Sequence, residues 1–218
     1  MNRNNRFLSK SITGNRVLVP TLGLLGAVSS AHAHHPMDGQ TPETFTQGLL
    51  SGFGHPVIGI DHLAFLIVIA LLSFTLAGRA RLLVPIAFVG ATVAGTLFHL
   101  GAADLPLTET VIALSVLVGG VAVLVKGSSS ALVLAALLGF AGVFHGYAYG
   151  EAIVGAETSP MLSYLIGFSM IQYAIIVAGI KVLDLMAARS EKLHGLALRL
   201  GGISTAAVGA MFLGLSLA

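Results

Sequence analysis

The sequence predicts an all-α fold: a polytopic membrane bundle of six transmembrane helices behind a cleavable signal peptide. Hydrophobic residues make up 56% of the 218 residues and charged ones only 9%, too little charge to solvate a water-soluble domain. Six apolar stretches are long enough, as helices, to cross about 30 Å of hydrocarbon. Beyond the first 33 residues, Lys and Arg are confined to alternate links between these stretches and to their flanks, the pattern that the positive-inside rule gives a multi-pass chain.

The first 33 residues have the layout of an export signal. Arg3, Arg6, Lys10 and Arg16 form a basic stretch, residues 17–28 a short apolar run, and Ala31-His32-Ala33 a cleavage site. That run is short for a span, which argues against an uncleaved anchor. Cleavage after Ala33 divides the chain into a signal, 1–33, and a six-helix transmembrane domain, 34–218. It removes four of the eleven basic residues and none of the nine acidic ones, so no basic patch remains for nucleic acid.

The six spans cover residues 56–76, 82–100, 107–125, 131–149, 161–183 and 196–217, joined by short links rich in Gly, Ser or Pro. The basic residues left are Arg79, Arg81, Lys126, Lys181, Arg189, Lys192 and Arg199; they lie in or beside the links 78–81, 126–130 and 184–195, which therefore face the cytoplasm. The segments 34–54, 101–106 and 150–160 hold no Lys or Arg. Both termini of the mature chain are thus expected outside. Gly142, Gly146 and Gly150 make two small-xxx-small steps and mark a tightly packed face. Gly90, Gly95, Gly119 and Gly120 read as helix packing. Cysteine is absent, which excludes disulfides and thiolate ligands.

Two motifs place polar groups where a bilayer tolerates few. The first runs from His55 to His62 through Pro56, Gly59 and Asp61; the second from Phe144 to Glu151 through His145, Gly146 and Gly150. A charged side chain near mid-membrane costs about 2.5–3.5 kcal/mol on insertion scales, so such residues persist where they pair, bind an ion or line a wet path. Pro56 suits a first helical turn. His55 is then expected at the helix mouth, with His62 on the same face about two turns deeper and Asp61 as ligand or as the partner that fixes a tautomer. Nitrogen and oxygen donors without sulfur suit Ni(II), Co(II), Zn(II) or Fe(II) better than Cu(I). The expected metal residues are His55, Asp61, His62, His145 and Glu151, near the outer helix ends. A metal-free ion-pair pocket is the alternative, and a hydrogen-bonded packing residue the alternative for any single histidine.

Further candidates are His34 and His35, which cleavage would leave beside a free α-amine, and His99, which is either a ligand or entry-path residue or the cap of the second span. Glu43, Glu109 and Glu157 read as outer-surface carboxylates. Gln172 and Tyr173 are expected to make interhelical hydrogen bonds, and His194 to be solvated. Both motifs contain His-x5-acid. An inverted repeat would put the two copies on opposite sides of the membrane, whereas here both fall at the outer side, so the echo reads as convergence on one site.

The motifs His-x5-Asp-His (His55, Asp61, His62) and Phe-His-Gly-x-Ala-x-Gly-Glu (Phe144 to Glu151) resemble the signatures of the HupE/UreJ family of nickel and cobalt permeases. The resemblance, which extends to the signal and the six helices, implies secondary uptake of Ni(II) or Co(II) across a bacterial inner membrane. It implies no enzymatic activity and no resident cofactor, and it makes the motif His, Asp and Glu residues necessary for transport. No phosphate-binding Gly-Lys-Ser/Thr loop is present, so ATP drive would come from elsewhere. The residues alone also admit a membrane-embedded zinc hydrolase, with three histidines and acids holding a metal-activated water, or a metal-binding accessory protein.

Overall fold

The computed structural model describes residues 40–125 and 130–218; the segment 1–33 expected to be an export signal, His34, His35 and Lys126 lie outside these. The described residues form seven α-helices and one 3-10 turn, and no strand. In order these are α1 (Phe45–Ile58), α2 (Ile60–Phe74), α3 (Ala80–Leu100), α4 (Thr108–Leu124), α5 (Ala131–Gly150), the turn Glu151–Ile153, α6 (Thr158–Arg189) and α7 (Glu191–Ser216). Helices α3, α5, α6 and α7 are long and apolar enough to cross a membrane. The pair α1 and α2 makes a fifth span if counted as one, although it bends by 76°. At 1.5 Å per residue the 17-residue α4 reaches about 26 Å, slightly less than the hydrocarbon thickness.

The first expected span is corrected most. Residues 45–54, read as part of an outer segment, are helical, and Pro56 lies in the last turn of α1 rather than the first turn of a span. Thr44 caps α1 with a capping box: its hydroxyl accepts from Gln47 N–H at 3.2 Å, and Gln47 Oε1 accepts from Thr44 N–H at 3.1 Å. Glycines then press α1 onto α6. A Cβ at Gly48 would collide with Pro160 O and Ser163, one at Gly52 with Tyr164 O, and one at Gly167 with Leu49 O.

The same device joins α3 to α5. Gly95 lies on Val143 O, Gly146 on Thr92 O, Gly142 on Phe88 and Ala91, and Gly150 on the His99 side chain. Thr96 Oγ1 donates to Gly146 O at 2.7 Å. Small residues let backbones approach where lipid supplies no hydrophobic drive, and the expected tight face of Gly142, Gly146 and Gly150 is this one. Gly119 and Gly120 pack on Val68 and on α7, but Gly90 has nothing within 4 Å of where its Cβ would lie, so packing does not explain it. Inside the bundle, Phe65, Leu66, Val68, Ile69, Phe88, Val116 and Ile176 form the main apolar core.

Two further expectations change at the other end of the bundle. The link 184–195 shrinks to Ser190, whose extended backbone separates α6 from α7, and Asp184 on α6 pairs with Arg81 at 2.8 Å. His194 is half-buried, its ring 6.0 Å from that of Phe74, rather than solvated. Gln172 does bridge helices: it is fully buried and donates to Thr92 Oγ1 at 3.3 Å.

Candidate functional site

The site begins at the break between α1 and α2. Pro56 lacks the N–H that would bond back into α1, and Gly59 turns extended, with φ −69° and ψ 104°. Glycine fits here for a steric reason: a Cβ at position 59 would stand 2.6 Å from Cδ2 of His62. Asp61 and His62 open the new helix, where Asp61 Oδ1 accepts the His62 N–H at 2.8 Å. A carboxylate there satisfies a first-turn amide and faces the positive end of the helix dipole. Asp61 is only 3% exposed and has no ion-pair partner among the described residues.

His55 and His62 therefore sit on two helices rather than on one helical face, yet the bend brings their ring centroids to 5.9 Å. With metal–nitrogen bonds near 2.1 Å, two imidazoles sharing one cation lie roughly 5–6 Å apart. His145 of α5 completes a row. Its Nδ1 is 2.8 Å from Nδ1 of His62, and its Nε2 is 3.0 Å from Ser115 Oγ on α4. Exposure is 4% for His55, 3% for His62 and 0% for His145, so the rings are held away from solvent.

The partners assign the tautomers of the neutral rings. Ser115 spends its only hydroxyl proton on Ile112 O at 2.7 Å, so its oxygen accepts from His145 Nε2–H. His145 Nδ1 is then an acceptor, and His62 Nδ1–H donates to it. On the other flank, Tyr164 Oη donates to Tyr149 O at 2.8 Å and accepts from His55 Nδ1–H at 2.9 Å. In both His55 and His62 the basic nitrogen is consequently Nε2. Each ring is oriented through the nitrogen a ligand would leave protonated, as ligating histidines usually are.

The other expected residues are placed differently. Glu151 is exposed in the 3-10 turn after α5. His99 does not cap α3: its Nδ1 has no hydrogen-bond partner among the described residues, and backbone bonds from Gly101 to Leu97 and from Ala102 to His99 close the helix. Its ring lies tilted against that of Tyr147, with centroids 4.3 Å apart. Among the described residues, no three His, Asp or Glu side chains already converge as a ready metal shell. The preorganised part is the pair His55 and His62, with Asp61 beside it.

Sequence reasoning passed over Ser115, Tyr149 and Tyr164, which hold or flank the histidines. Glu109, expected as an outer-surface carboxylate, is exposed in the first turn of α4 and lies close enough to Asp61 and Glu151 to feel both charges. The available signal was local: Tyr149 stands between His145 and Glu151 in the second motif.

The chain matches the family model described as "HupE / UreJ protein" over residues 22–212. It is 30% identical over 196 residues to Protein HupE of Rhizobium leguminosarum bv. viciae, covering 90% of this chain and 96% of that relative. No solved structure matches. Apolar helices, the two signature motifs meeting at one buried cluster and agreement along nearly the whole length lead to one conclusion: this multi-pass membrane protein belongs to the HupE/UreJ family.

Proposed function

We propose that the protein is a secondary permease that takes up Ni(II) or Co(II) across a bacterial inner membrane, with His55, Asp61, His62, His145 and Glu151 serving the cation. The observation that carries this reading is the 2.8 Å contact between His62 and His145, which ties the two distant motifs together beside a buried carboxylate. In this reading the mature chain, freed of its signal, spans the membrane six times with both termini periplasmic. The broken pair α1 and α2 then counts as one span and α4 as another. Glu151 and Glu109, exposed at the mouth, raise the local cation concentration.

The ion passes to Asp61 and to the Nε2 atoms of His55 and His62, while His145 orients His62 or exchanges its hydrogen bond for a place in the metal shell. Inward movement of a divalent cation gains about 4.6 kcal/mol per 100 mV of membrane potential, enough to concentrate a trace metal without ATP.

Uptake of radiolabelled nickel and cobalt into cells expressing the protein tests the proposal. His62→Ala and His145→Ala, at equal membrane levels, are expected to reduce uptake to background. Uptake equal to wild type in both variants would overturn it, and metal retained through purification together with hydrolytic turnover would favour the zinc hydrolase.

A further inference from the structure

Tyr149 is fully buried, and its ring lies 4.9 Å from that of His55 and 4.5 Å from that of His62. Its hydroxyl has no hydrogen-bond partner among the described residues, and Asp61 is close enough to act on it electrostatically. Tyr164, equally buried and 6.3 Å from His55 ring to ring, provides a contrast, because its hydroxyl both donates and accepts. A buried hydroxyl without a partner is costly, and phenylalanine would fill the same volume without that cost. Tyr149 also occupies a position that the motif Phe-His-Gly-x-Ala-x-Gly-Glu leaves open, so the motif assigns it no role.

We infer that Tyr149 Oη is an oxygen donor to the bound cation, beside Nε2 of His55 and Nε2 of His62, and that it biases the site toward borderline divalent ions. The inference rests on the reading of this cluster as the cation site of a permease. Two imidazoles alone also suit softer ions such as Cu(I), whereas an added oxygen, with Asp61 nearby, favours Co(II), Ni(II) and Zn(II). The phenol acts as a neutral donor.

Tyr149→Phe removes the oxygen and leaves the ring. Protein purified from membranes is compared with this variant by thermal unfolding without metal, by equilibrium binding of Co(II) and of Cu(I), and by cobalt uptake in cells. The metal-free variant is expected to melt at the wild-type temperature or above, since an unsatisfied group has been removed. Its Co(II) dissociation constant is expected to rise about ten-fold, the factor carried by one polar contact to a charged group, with Cu(I) binding unchanged.

Equal Co(II) binding by the two proteins would overturn the assignment. So would a parallel loss of Co(II) and Cu(I) binding, which marks a structural role. If wild type binds Co(II) and Tyr149→Phe weakens that binding, yet no uptake occurs, the permease reading falls while the oxygen donor stands. Absence of Co(II) binding by wild type would end both.

Discussion

Two tiers of the same bundle are built on opposite principles. In the upper one His55, His62 and His145 are held by directed hydrogen bonds to Tyr164 and Ser115 and to each other. Below it, from Ala64 along α2, the buried residues are apolar up to Ser73, and Phe65 lies flat against His145 at 4.4 Å and 12°. The first tier fixes orientation, which is what a coordinating nitrogen needs. The second fixes volume, since dense packing resists any change of shape. In the permease reading, a cation held by the histidines would meet a wall of aromatic and aliphatic carbon on the way through, with Phe65 and Phe88 in edge contact at 5.6 Å. In the permease reading, ligand exchange serves the first tier, and only helix movement opens the second.

The contrast breaks most readily at Phe65. Phe65→Ala is expected to lower stability by about 3 kcal/mol, the low end of the range for such truncations because lipid supplies less transfer energy than water. Unfolding in detergent measures this, and a loss below about 1 kcal/mol would mean that shape does not hold this tier. Next comes the elbow. Gly59→Val pushes a side chain into the His62 ring, and nickel uptake at equal membrane level is expected to fall about ten-fold, equivalent to about 1.4 kcal/mol, with the fold retained. Uptake at the wild-type rate would show that the position of His62 is not critical. The smallest effect belongs to Ser115→Ala, which leaves His145 Nε2–H buried without its acceptor, at a cost of about 1–2 kcal/mol. It is read as a lower melting temperature that Ser115→Thr restores; an unchanged melting temperature would show that the tautomer relay adds nothing to stability.

Much of the apolar tier was legible in advance, because long hydrophobic runs and basic links announce helices α3 to α5 within a few residues and the existence of α6 and α7, though not their near-continuity at Ser190. The motif histidines were legible too, since polar groups in such runs are expensive. The elbow was not. Proline favours a first helical turn, so Pro56 pointed to a helix start where the chain instead ends α1, and the glycines and serines of residues 45–55 resemble a loop until α6 supplies a surface on which they pack. Ser115, Tyr149 and Tyr164 were hidden for another reason: each carries one polar atom on a residue common in membrane helices, and no spacing distinguishes them until α4, α5 and α6 converge. His99 misled because its place at a helix end suggests a cap, a task that the backbone performs unaided.

Because α5 is clamped to α3 by Gly142, Gly146 and Gly150 together with the Thr96 hydroxyl, His145 is the stationary jaw of a vice. Any separation from His62 has to come from the α2 side, which joins α1 through the extended backbone of Gly59. The angle at which His62 meets its stationary neighbour is thus set by one residue without a side chain, because any Cβ there would push the imidazole aside.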